Sequence, residues 1–355
     1  MIEPGSTIGI LGGGQLGRMT ALAAARLGYR CHIFAPEADS PAKQVTHAAT
    51  DAGYDDEAAL RRFAAAVDVV TYEFENVPVE AARFLAALKP LYPEPSALEI
   101  AQDRLREKNF LRGIGVATTE FRAVDSAAGL AAALAAIGPH AILKTARLGY
   151  DGKGQLGVAA GDDTAAAWRR LNVSVAVLEA KVDFACEVSV IVARGQDGDL
   201  AAYPAVENRH VNHILDTTIA PARLAVAVAR EADRIARLIV QKMNLIGVLA
   251  VEMFVTKDGR VLVNELAPRP HNSGHWTIDA CATSQFEQLV RAICGLKLGS
   301  VERHANAVMK NLIGDEVLDW PAALGDGEAR LHLYGKGTPV PGRKMGHVTR
   351  LLPKS

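Results

Sequence analysis

Short apolar runs alternate with longer amphipathic stretches through the first third of the chain, the pattern of a parallel sheet wrapped by helices. Thr7 to Leu11 reads as a buried strand entering a glycine turn, Leu16 to Leu27 as a helix and Arg30 to Ala35 as a second strand, a βαβ opening. The Ala-rich helix Asp56 to Ala66, the strand Asp68 to Tyr72 and the helix Val79 to Leu88 continue the pattern. Pro90, Pro93 and Pro95 then break it ahead of a single predicted helix from Ser96 to Gly113, which places a boundary near residue 100.

Farther along, Ala141 to Lys144 and Val175 to Glu179 read as strands on either side of a helix from Thr164 to Leu171. Cys186 to Ala193 alternates as a strand with one exposed face, and Pro221 to Met243 reads as one long helix. Val248 to Val255 and Val261 to Leu266 form a predicted hairpin, a helix runs from Phe286 to Cys294, and the tail from Arg330 is rich in Gly, Pro and basic residues with short strands. Four units are expected: 1–100, 101–185, 186–300 and 301–355.

The hairpin carries the sharpest chemical signal. Its connection, Thr256 to Arg260, contains Asp258-Gly259, and a two-residue turn there pairs Glu252 with Glu265. Two carboxylates opposed on one face destabilise a sheet unless something holds them, and a divalent cation is a common remedy. Both sit in runs too apolar for a bare surface edge, so a magnesium site is expected, with Asn264 completing its oxygen shell and open positions left for substrate phosphates.

Composition narrows the class. At 355 residues and 49% hydrophobic, the chain can build two or three cores. With 39 basic against 40 acidic residues it has no general attraction to nucleic acid or to an anionic membrane. Cys31, Cys186, Cys281 and Cys294 show no CxxC spacing, which fits buried thiols in a reducing cytoplasm. No run approaches membrane-span length and the start, with Glu3, does not resemble an export signal, so a cytoplasmic location is expected.

Two glycine-rich loops suit anion binding. Gly12-x-Gly14-x-x-Gly17 follows a strand and resembles a dinucleotide fingerprint, but the second strand ends Ile33-Phe-Ala-Pro36 without the acid that a nicotinamide enzyme uses. The loop still suits the phosphate of another ligand, with Gln15 at its tip. Gly149-Tyr-Asp-Gly-Lys-Gly-Gln155 sets a lysine among glycines and suits a hairpin that folds over a triphosphate, with Lys144 as a second cation; a solvated surface hairpin is the plain alternative. Glu179-Ala-Lys-Val182 offers extended backbone for adenine, and Glu187 a carboxylate for ribose hydroxyls. Arg269, His271, Asn272 and His275 crowd between prolines and present several donors to an anionic substrate. Lys336, Arg343, Lys344, His347 and Arg350 form a basic cluster for a phosphate monoester or a solvated end.

Taken in order, Ile10-Leu-Gly-Gly-Gly-Gln-Leu-Gly-Arg-Met19, Tyr72-Glu-Phe-Glu-Asn-Val77, the 149–155 loop, the stretch Asn264 to His275 and Gly342-Arg-Lys-Met-Gly-His347 resemble the ATP-grasp superfamily. Within it they resemble the N5-carboxyaminoimidazole ribonucleotide synthetases of purine biosynthesis. The resemblance implies an α/β protein with an N-terminal Rossmann-like parallel-sheet domain, a small lid domain, a large ATP-grasp domain and a C-terminal α+β part. It implies ATP-dependent carboxylation of 5-aminoimidazole ribonucleotide with bicarbonate through carboxyphosphate. ATP would be held by Arg104, Lys144, Gly149, Tyr150, Asp151, Gly152, Lys153, Gly154, Gln155, Glu179, Ala180, Lys181, Val182, Glu187, His210, Asn264 and Glu265, with two Mg2+ ions on Glu252 and Glu265. The ribonucleotide would meet Gln15, Leu16, Glu73, Tyr150, Asp151, Lys153, Arg269, His271, Asn272 and Ser273, and its phosphate Lys344 and Arg350. Arg269, His271, Asp151 and Lys153 would carry the chemistry. A homodimer and hand-off of product to a mutase are also implied. His213 departs from the family pattern, which often has glycine there. A formate-dependent formyltransferase, a biotin carboxylase or a noncatalytic nucleotide-binding regulator would share the ATP residues.

Overall fold

The computed structural model describes residues 1–149 and 153–354. Among them the strands form three sheets. The first is the expected parallel sheet, in the order Ala48–Thr50, Arg30–Phe34, Thr7–Leu11, Val69–Tyr72. Its strands are apolar on both faces because helices cover both: Ile8, Ile10 and Ile33 pack on one side, Phe34, Val70 and Phe63 on the other. The second is a four-stranded antiparallel sheet, in the order Phe121–Val124, Ala176–Ala180, His140–Thr145, Gln155–Ala159, with the helices Ala127–Ile137 and Thr164–Leu171 packed against it.

The third sheet has nine strands and dominates the molecule. Its path runs Val261–Ala267, Gly247–Thr256, Phe184–Arg194, Val206–Val211, Ile214–Ala220, Asn306–Ile313, Lys344–Leu352, Ala329–Leu333, with Leu200–Ala202 added beside Phe184–Arg194. The tail is therefore part of the main sheet. Its strand Lys344–Leu352 is nine residues long, not short, and pairs along its length with Asn306–Ile313.

Three further expectations change. Residues 96–113 are two helices, Pro95–Ala101 and Arg104–Gly113, because the Asp103 side chain accepts from the amides of Leu105 and Arg106 at 3.0 and 3.2 Å and starts a new helix. The long helix begins at Val226 rather than Pro221, and its stripe Ala232, Ile235, Ala236, Ile239, Val240 seals the large sheet. Phe184–Arg194 lies inside the sheet, with Val188 to Ala193 buried, so its alternation marks two different cores and not water on one face.

The hairpin reaches the expected pairing by another route. Val255 pairs with Val261 and the Thr256 amide donates to the Arg260 carbonyl at 2.9 Å, leaving a three-residue tip, Lys257-Asp-Gly259, with Gly259 at φ +83°. That slips the register by one residue. A bulge then slips it back: Met253 faces Val263 and Glu252 faces Glu265, leaving Asn264 as the extra residue.

Candidate active site

A cavity of about 740 Å³ opens where the three sheets converge. Gln15 and Leu16 of the first helix, Glu73 after the parallel sheet, Arg104, Lys144, Gly149, Lys153, Gln155, Glu187, His210, Glu252, Asn264, Glu265, Arg269, His271, Asn272 and Lys344 all line it. The residues proposed from sequence are thus largely brought together. Tyr150, Asp151 and Gly152 lie outside the described residues.

The carboxylate pair is held by donors of the protein itself. Glu252 Oε1 lies 3.0 Å from His271 Nε2, and Glu265 Oε2 accepts from Arg104 Nη1 at 3.1 Å. Burial opposes ionisation of Glu252, yet His271 overrides it and holds the carboxyl at about 2. Each carboxylate keeps lone pairs beyond these contacts. The bulge turns Asn264 toward the same cavity, and its buried Oδ1 has no hydrogen-bond partner among the described residues. Two carboxylates and an orphaned amide oxygen are a hard oxygen set that fits magnesium.

His271 is fixed from both sides. Its Nδ1 accepts from the Ser273 amide at 3.3 Å and lies 2.8 Å from Ser273 Oγ, which leaves Nε2–H to donate to Glu252. Ser273 Oγ in turn meets Ser189 Oγ at 2.7 Å, and Asn208 Nδ2 donates to Ser189 Oγ at 2.9 Å. Ser273 therefore stands behind His271 and off the cavity lining, in contrast to the substrate contact expected of it. Asn272 beside it does line the cavity, and its buried amide nitrogen and oxygen both lack partners among the described residues. Native proteins rarely leave such groups unpaired, so this side chain is suited to a ligand.

Arg269 is gripped through Nε by Glu75, a residue the sequence reading quoted but gave no role. Burial works against Glu75 ionising; the guanidinium more than offsets it and holds the carboxyl at about 2. Arg269 Nη1 also donates to the Pro270 carbonyl at 3.0 Å. These contacts set the guanidinium's plane at the cavity wall.

In the first glycine loop the Gly14 and Gly17 amides are already taken. Glu73 accepts from the Gly14 amide and, at 2.8 Å, from the Gly17 amide, so a carboxylate of the chain takes the anion position at the helix N-terminus. A Cβ on Gly14 would meet the Glu73 carboxylate at 2.5 Å, which accounts for glycine there. In the second loop, Gly154 takes φ +70° where a Cβ would meet Thr145 Oγ1 at 2.7 Å, and Gly149 O accepts from Arg104 Nη2 at 3.0 Å.

Glu179, expected with Ala180, Lys181 and Val182 to meet the nucleotide, turns its side chain inward. It is enclosed between Lys144 Nζ at 2.8 Å and Lys108 Nζ at 3.3 Å, and Glu179, Ala180, Lys181 and Val182 all stand off the cavity lining. Glu187 lies 3.0 Å from His210 Nδ1; burial lowers the imidazole, but Glu187 prevails and raises it. The tail cluster assembles only in part, with Lys336 Nζ donating to the Lys344 carbonyl at 2.7 Å. Lys344 lines the cavity, whereas Arg350, six residues on and about 20 Å along the strand, pairs with Asp326 at 2.9 and 3.0 Å. His347 is buried, stacked 4.5 Å from His332 and bonded to Tyr334 Oη at 2.8 Å, and burial holds it well below the usual histidine range.

Sequence reasoning also missed Glu107 and Lys108, which share a helix face with Arg104. Glu107 Oε2 accepts from the Leu266 amide at 2.8 Å, and burial pushes its carboxyl up to about 8. The i, i+3, i+4 spacing of three charges just after a helix cap was the available signal.

Residues 5–102 match the ribonucleotide synthetase preATP-grasp domain, 109–286 the ATP-grasp domain and 307–355 the phosphoribosylaminoimidazole carboxylase C-terminal domain. The N5-carboxyaminoimidazole ribonucleotide synthase of Brucella melitensis is 52% identical over 356 residues, covering 100% of this chain and 98% of that one. The chain belongs to this family. The Bacillus subtilis synthase is 43% identical, with 98% and 92% covered. An N5-carboxyaminoimidazole ribonucleotide synthetase solved as its ADP complex superposes with a TM-score of 0.96 at 42% identity, covering 100% and 94%. The Aspergillus clavatus synthase with ADP and 5-aminoimidazole ribonucleotide gives 0.91 at 34%, covering 98% and 94%. The synthase family thus accounts for the parallel sheet, the clamp of two antiparallel sheets and the C-terminal strands together.

Proposed function

We propose that the chain carboxylates 5-aminoimidazole ribonucleotide with bicarbonate at the expense of ATP, giving N5-carboxyaminoimidazole ribonucleotide, ADP and phosphate in purine biosynthesis. One observation carries the assignment of roles: Lys144, Glu252 and Glu265 share a single cavity with Gln15, Arg269, Asn272 and Lys344. The first set suits a nucleotide and its metal, the second a phosphorylated, polar acceptor, and nothing separates them.

A bicarbonate oxygen attacks the γ-phosphorus of ATP and ADP leaves. The exocyclic amine then attacks the carboxyphosphate carbon, the bond from that carbon to the phosphate oxygen breaks, and the amine loses a proton as phosphate departs. Lys144, Lys153 and Arg104 offset charge on the polyphosphate. Glu252, Glu265 and Asn264 would hold magnesium, which when bound supplies charge neutralisation at the phosphates. Arg269, fixed by Glu75, orients bicarbonate, and Asn272 meets the ribonucleotide with its unpaired amide. Asp151 and Lys153, from the glycine loop, act beside the amine. His271 keeps Glu252 in place and accepts a proton only by exchanging one of its two present partners. Lys344 binds the ribonucleotide's phosphate, a role for which Arg350 is too far along its strand. The chain acts as a homodimer in the cytoplasm and passes its labile product to a mutase.

ADP formation measured with each substrate omitted tests this. Turnover should require both bicarbonate and 5-aminoimidazole ribonucleotide; equal turnover with formate and glycinamide ribonucleotide, or with biotin, would reassign the acceptor.

A further inference from the structure

Lys108 belongs to none of the sets above, yet its ammonium is fully enclosed. It lies 3.3 Å from Glu179 Oε1 and within reach of three further oxygens: Thr119 Oγ1 at 3.1 Å, Thr118 Oγ1 at 3.4 Å and the Asn264 carbonyl at 3.4 Å. Glu179 thus has two counter-ions of different character. Lys108 approaches from the core and is anchored by oxygens of the linker and of the hairpin bulge. Lys144 approaches from the cavity, on Oε2 at 2.8 Å, and lines the space where a nucleotide would lie.

We propose that Lys108 is a positioning residue for nucleotide capture: it stays behind as the counter-ion of Glu179 and so releases Lys144 to the nucleotide's phosphates. The proposal rests on the reading that Lys144 meets those phosphates. A buried carboxylate with a single counter-ion holds it tightly, because withdrawing that ion strands a bare charge in a poorly polarisable surrounding. With Lys108 fixed on its other oxygen, Glu179 remains compensated when Lys144 turns away. The same ammonium contacts the bulge beside Glu265, so the compensation sits where the small sheet meets the large one.

Titration calorimetry of the full chain with ADP and Mg2+ separates this from a purely structural role. Lys108→Met should weaken ADP by about tenfold or more, since Glu179 then competes alone for Lys144. Lys108→Met/Glu179→Gln, which also removes the competitor, should recover affinity to within about threefold of the parent. Parent-like binding by Lys108→Met, or a double variant no better than the single, overturns the proposal, because lost packing would not be repaired by a second substitution. Should Lys108→Met not fold, Lys108→Gln removes the charge while retaining most of the length and a donor, and the same comparison applies. Lys144→Met tests the underlying reading separately: unchanged ADP affinity there defeats the phosphate role itself, whereas weakened binding there with parent-like binding in the Lys108 variant defeats only the inference drawn here.

Discussion

Arg269 and Glu75 stand 194 positions apart and meet at the cavity wall, so neither explains the other in the sequence. Glu75→Gln should lower stability at neutral pH by about 3 kcal/mol, the scale of stranding a buried charge. Because the folded carboxyl is depressed, to about 2 from an ordinary 4.5, its contribution is present above the unfolded value and disappears as pH falls through the folded one. Denaturant melts should therefore show the gap between parent and variant closing between pH about 4.5 and about 2; a constant gap would mean the ion pair is not its source. Glu265→Gln should leave the fold intact and abolish ribonucleotide-dependent ADP release, and near-normal turnover would remove the acid from the metal site. Lys344→Ala should raise KM for the ribonucleotide far more than for ATP, with equal rises speaking against a phosphate contact. At this scale the sequence showed residue types and not their partners. Glu265, Lys144 and Asn272 were legible as chemistry in local runs. That Glu179 would be shut between two lysines depended on Lys108, 71 positions earlier in the numbering of 179 and 108, and no local pattern carries that distance.

Strands and helices were largely legible because periodicity is local, and the failures were also local. Asp103 ends one helix and begins another through its side chain, a capping signal that divides the single helix expected over 96–113. The Glu252–Glu265 pairing expected of the hairpin holds by a different route, since a tip one residue longer than expected is offset by the bulge at Asn264. A second hairpin explains the His213 departure. Val211 pairs with Ile214, and Asn212 and His213 between them take φ +50° and +66°, the two-residue turn that favours glycine. His213→Gly should relieve left-handed strain and raise stability by about 1 kcal/mol, read as a higher denaturation midpoint. A lower midpoint would show that the imidazole's contacts at the cavity outweigh the backbone cost.

The nine-stranded sheet makes the molecule one mechanical piece from Phe184 to Leu352, although the sequence suggested a separate tail of short strands. Asn306–Ile313 covers the edge of Ile214–Ala220, and Met309 and Ala307 enter the same core as Trp276. Truncation after residue 305 should therefore yield aggregated protein with no cooperative melt, because the strand Ile214–Ala220 becomes an open edge and the core loses Ala307 and Met309; a soluble, cooperatively melting fragment would show the tail to be an accessory. The same long view alters the meaning of the N-terminal glycine loop. Glu73 lodges where a diphosphate sits in a redox enzyme, so the chain supplies its own anion and leaves no vacancy for a borrowed one. A nucleotide cofactor is thereby barred from the first domain without any change to the loop's glycines. Resemblance in that motif records a shared way of turning a corner between strand and helix, and a reader who infers a coenzyme from it will be misled by a site that arrives already stoppered.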